Sequence, residues 1–245
     1  MDMQLKDRTA LVTGASVGIG RGIALALAAE GVRLAITARR VEKLEALAAE
    51  IVAAGGAQPV LIVQDMYAED AARCLADAAV AGLGHVDILV NNAGGSRSFK
   101  DLHVSEAQWQ EAITLNFHRP RQVADALIDQ MIARNWGRII NITGKSEPEH
   151  TNGAFCAKAG LHSWAKGLSR MVGKHGITAL VEQPPREAQH NTVGTSEGKR
   201  PSGTQKLMQP TVASRTPSRF CRTSTPARST STQSSLRTLK RYSLR

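Results

Sequence analysis

The feature that most constrains the fold is a glycine-rich turn, residues 13–20, with the sequence TGASVGIG. A short apolar run precedes it, and an Ala-rich amphipathic stretch follows it. This order predicts a β-strand, a turn and a helix whose first N–H groups face a phosphate. Gly14 permits a tight turn, Gly18 permits close approach of a pyrophosphate, and Gly20 permits close packing of the helix. The stretch predicts a dinucleotide site, and a purely structural turn is the alternative.

Further apolar runs alternate with helical patterning along the first three quarters of the chain. Runs of this kind, apolar at nearly every position, are typical of strands buried on both faces. The alternation predicts an α/β fold with a doubly wound parallel sheet in a single domain, for which 245 residues suffice. The further predicted strands cover residues 32–37, 59–65, 86–90 and 137–143.

Two arginines follow the second predicted strand, where proteins that select NAD usually carry Asp or Glu. The chain has Arg39 and Arg40 at this point. A carboxylate repels a 2′-phosphate on the adenosine ribose, whereas a guanidinium group binds one. We therefore predict NADP rather than NAD. The alternative is that both arginines are solvated residues at the start of the next helix.

The net charge of +10 is concentrated at one end of the chain. Residues 181–245 contain nine Arg, three Lys and three Glu, and so carry +9 of it. Residues 1–180 have no basic stripe with interleaved aromatic residues, which makes nucleic-acid binding the weakest function class.

Targeting and metal signals are lacking in the sequence. No basic region followed by an apolar run begins the chain, and no run approaches the about 20 apolar residues of a membrane span. The three cysteines, Cys74, Cys156 and Cys221, have neither metal-ligand nor disulfide-framework spacing. We expect a cytoplasmic protein with reduced thiols, no metal site and no membrane partner.

Several motifs together resemble the short-chain dehydrogenases/reductases over roughly residues 5–180, and in particular the 3-oxoacyl-acyl-carrier-protein reductase-like group. The resemblance implies a Rossmann fold that binds NAD(P) and interconverts an alcohol and a carbonyl by hydride transfer. It also implies a small or acyl-linked substrate and a homo-oligomer. The motifs are Thr13-Gly-x-x-x-Gly-Ile-Gly20, Asn91-Asn92-Ala93-Gly94, Asn116, the strand from Gly137 to Thr143, and Ala157-Lys158-Ala159-Gly160.

The resemblance also implies roles for individual residues. Asn116 would position a water in a proton relay, although a mid-helix Asn is ordinarily solvent-facing or satisfied. Lys158 would bond the nicotinamide ribose. Asp65 and Met66 would border the adenine, with a helix N-cap as the competing role for Asp65. The remaining cofactor contacts would be Gly14, Ser16, Gly18, Ile19 and Gly20 for the phosphates, Arg39 and Arg40 for the 2′-phosphate, and Asn92, Ala93 and Gly94 for the ribose side.

The catalytic centre departs from the family pattern. The family's acid is a Tyr one helical turn before the Lys, and Ala154 stands there. Gly144 stands where the family has a Ser. The oxygen that becomes negative during reduction needs another donor. The nearest substitutes in sequence are Thr143, Lys145, Ser146, His150 and Lys158, and we take Ser146 as the candidate, against an ordinary solvated loop.

These losses leave two functions open. One is an NADP-dependent oxidoreductase with an atypical proton donor, and the other is an NADP(H)-binding pseudoenzyme without turnover. The last third of the chain adds to the departure, because the sixth and later strands of the family are not recognisable after residue 178. We expect an NADP-binding domain over 1–180 and a Ser/Thr/Arg-rich tail over 181–245. The tail is either a natural disordered basic segment or the product of a shifted reading frame near residue 179.

Overall fold

A parallel sheet of six strands forms the centre of the protein. The computed structural model describes residues 4–95, 99, 103–144 and 151–184. The sheet order is β3-β2-β1-β4-β5-β6, which is the doubly wound arrangement expected from the alternating pattern. The strands are β1 Thr9–Thr13, β2 Arg33–Ala38, β3 Val60–Val63, β4 Ile88–Asn91, β5 Gly137–Ile142 and β6 Ile177–Glu182.

Helices cover both faces of the sheet. The first two helices pack on one face, and α3, α5 and α6 pack on the other. A π-helical turn, Thr114–His118, joins α4 to α5. No helix among the described residues is long and apolar enough to cross a membrane. The helices are α1 Gly18–Ala29, α2 Val41–Ala53, α3 Ala71–Leu83, α4 Glu106–Ile113, α5 Arg119–Ala133 and α6 Gly153–Val172.

The two cores meet at β1, and this fixes where the glycine turn lies. All five residues of β1 are buried, with Leu11 in the core under α3 and α5 and Val12 in the core under α1 and α2. Successive side chains of a strand point to opposite faces, so β1 must be central. The turn that follows it therefore lies at the middle of the carboxyl edge of the sheet, where ligands of such sheets bind.

The expectation that no sixth strand follows residue 178 is wrong. Strand β6 pairs with β5 through all six of its residues. Ile177 and Ala179 face the core, while Leu180 and Glu182 are exposed. This alternation of core-facing and exposed residues covers too few positions for the sequence to distinguish a strand from a tail. Strand β6 thus includes the first two residues of the tail predicted over 181–245, and residues 185–245 of that tail lie outside the described residues.

The role of Asp65 as a helix N-cap is also wrong. The residue before α3 is Asp70, and Asp65 instead lies in the turn after β3. Its Oδ1 accepts a hydrogen bond from the backbone N–H of Tyr67 at 3.1 Å. An Asx turn of this kind competes locally with helix initiation, which explains why α3 begins later.

Candidate functional site

The glycine turn adopts a conformation that only glycine accepts readily. Gly14 has φ +65° and Gly18 has φ +59°. A Cβ on Gly14 would lie 2.9 Å from the Ala93 Cα, and one on Gly20 would lie 2.3 Å from the Asn92 Nδ2 and 2.4 Å from the Gly14 carbonyl oxygen. The predicted close packing at Gly20 is thus against the loop after β4 and the turn itself. Glycine at these positions leaves room for the backbone contacts and exposes N–H groups to a phosphate.

Thr13 joins this turn to the loop after β4, a role that the sequence did not reveal. Its Oγ1 accepts hydrogen bonds from the N–H groups of Asn92 and Ala93, each at 2.9 Å, and donates to the carbonyl of Val90 at 3.3 Å. The Asn92 amide donates to the carbonyls of Thr13 and Gly14, each at 3.0 Å. The amide of Asn92 therefore holds the glycine turn in place.

The ends of β2 and β3 continue the same edge of the sheet. Arg39 and Arg40 follow β2 and are exposed, and Arg40 is the residue before α2. The end of β2 is paired with the end of β1 on one side and with β3 on the other. Both residues thus follow a strand that pairs with the strand leading into the glycine turn, and both are exposed.

The turn after β3 is fixed by a buried arginine that sequence reasoning missed. Arg119 is 7% exposed, and its Nε donates to the carbonyl of Met66 at 2.7 Å. Its Nη2 donates to the carbonyl of Ala68 at 2.7 Å. Met66 is 8% exposed and packs in the core, while Asp65 is exposed. The edge predicted to border adenine is therefore bonded to the start of α5, and Asp65 is its exposed residue.

Asn116 lies in the π-helical turn and is 1% exposed. Its amide donates to the carbonyls of Gly95 and Ala112, each at 2.9 Å, and its Oδ1 accepts from the Gly95 N–H at 3.2 Å. The solvent-facing alternative is excluded, and Asn116 is a satisfied buried amide. Single π-type turns inside α-helices often mark functional sites.

Lys158 lies on the second turn of α6 and reaches the end of β5. Its Nζ donates to the carbonyl of Ile142 at 2.7 Å. Burial lowers the pKa of this ammonium to about 8. A Cβ on Gly94 would lie 3.3 Å from the Lys158 Nζ and 2.9 Å from the Asn116 Oδ1. The structure therefore brings the predicted Lys158, Asn116 and Gly94 together at one point.

The start of α6 (residues 152–158) has no hydroxyl one helical turn before Lys158, where the family's tyrosine would lie. Ala154 is 5% exposed, and its N–H donates to the Asn152 side chain at 2.9 Å. A Cβ on Gly144 would meet the ring of Phe155 at 3.9 Å. The predicted catalytic Ser146 lies outside the described residues, as do Lys145 and His150. The described part of the chain contains no group of three or more His, Cys, Asp or Glu that could hold a metal ion.

The chain matches the family model of the short-chain dehydrogenases over residues 8–189. It is 38% identical to nodulation protein G of Rhizobium sp. (strain N33) over 186 residues, 74% of each chain. It is 35% identical to the 3-oxoacyl-acyl-carrier-protein reductase FabG of Escherichia coli (strain K12), over 74% of each chain.

Solved structures agree with these relatives. A metagenomic short-chain oxidoreductase in complex with NADP has a TM-score of 0.70 and 36% identity, over 74% of this chain and 83% of that one. The L-sorbose reductase of Gluconobacter frateurii, complexed with NADPH and L-sorbose, has a TM-score of 0.71 and 27% identity, over 74% and 70%. Together with the sheet order and the glycine turn, these matches show that the chain belongs to the short-chain dehydrogenase family.

Proposed function

We propose that the chain is an NADP-dependent oxidoreductase that interconverts a carbonyl and an alcohol, with a proton donor other than the family's tyrosine. The observation that carries the proposal is the meeting of Lys158 and Asn116 at Gly94, beside the glycine turn. Hydride transfer needs the cofactor and the carbonyl side by side. The carboxyl edge of the sheet at Gly94 is where ligands of such sheets bind.

The residues present fit a dinucleotide phosphate. The turn has two glycines with positive φ and no room for a Cβ at Gly14 or Gly20. Arg39 and Arg40 supply two exposed guanidinium groups for a 2′-phosphate, and no carboxylate follows β2 to select NAD. The complexes of two similar structures with NADP and NADPH support the same cofactor.

The roles of this chain's residues follow from their contacts. The glycine turn would hold the pyrophosphate, and Lys158 would donate to the nicotinamide ribose while it stays bonded to the Ile142 carbonyl. Asn116 bonds the loop carrying Gly94 and Gly95 and also the Ala112 carbonyl of α4, so it ties the loop to that helix. When bound, the reduced nicotinamide supplies the hydride, and a protein group must supply the proton for the carbonyl oxygen.

The substrate class is a small or acyl-linked carbonyl compound. Support comes from the relatives, whose names include a 3-oxoacyl-acyl-carrier-protein reductase and an L-sorbose reductase. The test is NADPH oxidation by the full chain with acetoacetyl-coenzyme A and with L-sorbose as probes. We expect substrate-dependent oxidation with at least one of them, and its absence with both at saturating NADPH contradicts the proposal.

The second candidate is an NADP(H)-binding pseudoenzyme, favoured by one observation. Ala154 stands one turn before Lys158, where the family's acid would be, and its side chain has no proton to give. Saturable NADPH binding without turnover would identify this function. We also propose a homo-oligomer located in the cytoplasm, and sedimentation of the full chain tests the assembly.

A further inference from the structure

We propose that Lys158 itself is the proton donor to the carbonyl oxygen, in addition to its contact with the cofactor. The inference rests on the proposed oxidoreductase function and assigns a second role to a residue of that same site. The geometry that points to it is the position of the Lys158 ammonium, which is held at the substrate corner beside a helix turn that lacks a side-chain acid.

The missing phenol leaves Lys158, one helical turn further on, as a charged acid at this corner. Residues four apart on a helix lie on the same face, so Ala154 and Lys158 point to the same corner. The Ile142 carbonyl accepts one of the three hydrogens of the ammonium. Two hydrogens are left for the cofactor ribose and the substrate oxygen, and a lysine ammonium has three donors in total.

Two other described hydroxyl groups have partners of their own. Thr143 Oγ1 donates to the carbonyl of Glu182 at 3.2 Å, which ties it to β6. Tyr67 lies in the turn after β3, where its hydroxyl bonds the Glu111 carboxylate at 3.3 Å. Asn116 has a neutral amide whose hydrogens are both used. Ser146 lies outside the described residues, and the experiment below includes it.

The electrostatics of the corner suit proton transfer. Burial is the cause of the lowered pKa of Lys158, about 8, and no charged group of the described elements contributes to it. A group with a pKa near the working pH is both protonated and ready to release its proton. The elements packed against α6 are α4, the π-helical turn, the 3-10 turn Gly173–His175 and β6, and their titratable groups are Glu106, Glu111, His118, Lys174, His175 and Glu182.

The proposed step balances in atoms and charge. When bound, the reduced nicotinamide would supply a hydride to the carbonyl carbon, and the C=O π electron pair would move to the oxygen. The oxygen would take a proton from the Lys158 ammonium, which would become a neutral amine. The cofactor would be left oxidised, and solvent water would return a proton to the amine, whose side chain is part-exposed. In the oxidation direction the same amine accepts the proton.

The first measurement reads the Lys158 ammonium directly, without catalysis. The full chain is labelled with limiting acetic anhydride from pH 6 to 11, and the acetylation of each lysine is quantified by mass spectrometry. Lys166 is the matched control because it lies on the same helix and is exposed. We expect half-maximal reactivity of Lys158 near pH 8, with the profile of Lys166 as the reference. Equal profiles for the two lysines would overturn the proposal.

The second measurement separates the proton from the charge. Arg in place of Lys158 keeps a cation that donates hydrogen bonds but does not release its proton. We expect Lys158→Arg to retain NADPH binding within about fivefold and to lose at least about 100-fold in kcat, in the range typical of general acid catalysis. Lys158→Gly should regain part of its kcat on addition of methylammonium, and Lys166→Met should match the unmodified chain.

The outcomes distinguish a failure of the donor role of Lys158 from a failure of the oxidoreductase function. Two results would overturn Lys158 as the donor while supporting the oxidoreductase. In one, the unmodified chain turns over and Lys158→Arg is equally active. In the other, the loss of turnover is found in Ser146→Ala instead. NADPH binding without any turnover by the unmodified chain overturns both the oxidoreductase and the donor. A fall of kcat/KM for reduction above pH 8, abolished in the methylammonium-rescued variant, supports both.

Discussion

The glycine turn (residues 13–20) and the start of α6 (residues 152–158) lie along the same edge of the sheet but keep the family pattern to different degrees. The turn has every glycine in place, and its fit with Thr13, Asn92 and Ala93 leaves no space for a Cβ at Gly14 or Gly20. At the start of α6 the Lys is in place, but the position one turn earlier is Ala154.

Phosphate binding and proton donation, the two functions of this edge, therefore depend on different kinds of structure. Phosphate binding uses backbone N–H groups and a helix terminus, so it depends on the conformation of a whole segment. Proton donation uses one side chain, and a single substitution removes it without disturbing the fold. Cofactor binding and catalysis can therefore be separated by substitutions in one region or the other.

The largest effect is expected in the turn. In Gly20→Ala the new Cβ would lie 2.4 Å from the Gly14 carbonyl oxygen, so the turn itself must shift. We expect the Kd for NADPH to rise about 100-fold, which corresponds to about 2.7 kcal/mol. Fluorescence titration measures it. Gly22→Ala is the matched control on the same helix, since its Cβ would meet nothing within 4 Å. Equal Kd values for the two variants would contradict the role of the turn.

The next effect tests the start of α6. Ala154→Tyr restores a phenol one turn before Lys158, whose ammonium favours the phenolate. We expect kcat/KM for carbonyl reduction to rise by about tenfold to 100-fold, at or below the low end of general acid catalysis because Gly144 offers no partner hydroxyl.

Ala154→Phe is the control for the ring without the hydroxyl, and it should show no gain. NADPH binding should be the same in both variants within about twofold, since the turn is untouched. A gain in Ala154→Phe equal to that in Ala154→Tyr would mean that packing, not proton donation, distinguishes this corner.

A smaller effect is expected at the end of β2. Arg39→Ser removes one guanidinium group from an exposed position beside the turn. We expect the Kd for NADPH to rise about tenfold and the Kd for NADH to stay unchanged, because a charged hydrogen bond contributes about 1.5–3 kcal/mol. Arg33→Ser, at the opposite end of the same strand, is the control. An equal loss for NADH would remove the 2′-phosphate role of Arg39.

The smallest effect is a pH dependence of stability. The folded state disfavours the charged form of Lys158, whose pKa falls to about 8 from the ordinary 10.5. Its destabilising contribution is fully present below pH 8 and is lost as the pH rises toward 10.5. As the pH rises through this window, the Tm of the unmodified chain should therefore increase relative to the Tm of Lys158→Met. The increase should be about 2–4 °C for each kcal/mol by which the destabilisation falls. A constant difference would contradict the lowered pKa.

Much of the fold was readable because the pattern is strong where strands are buried on both faces. Strands β1 to β5 follow from continuous apolar runs. Strand β6 was missed because only Ile177 and Ala179 face the core, which is too short an alternation to recognise beside an atypical tail.

The site was readable only in part, since its residues act through contacts that are distant in sequence. The glycines predict the turn, but the role of Thr13 in holding it is recognisable only from its hydrogen bonds to the loop after β4. Arg119 lies 53 residues from the Met66 carbonyl that it holds, and nothing local marks it. Asn116 reads as an ordinary helical Asn until the π-helical turn shows it to be buried.

The most direct test of the central claim, an intact NADP site beside an altered proton donor, is a side-by-side titration of the full chain with NADPH and NADH. Quenching of the protein's tryptophan fluorescence measures both. We expect saturable binding of NADPH with a Kd at least about tenfold below that of NADH, because of a charged contact to the 2′-phosphate. No saturable binding of NADPH, or equal affinity for the two dinucleotides, would contradict it.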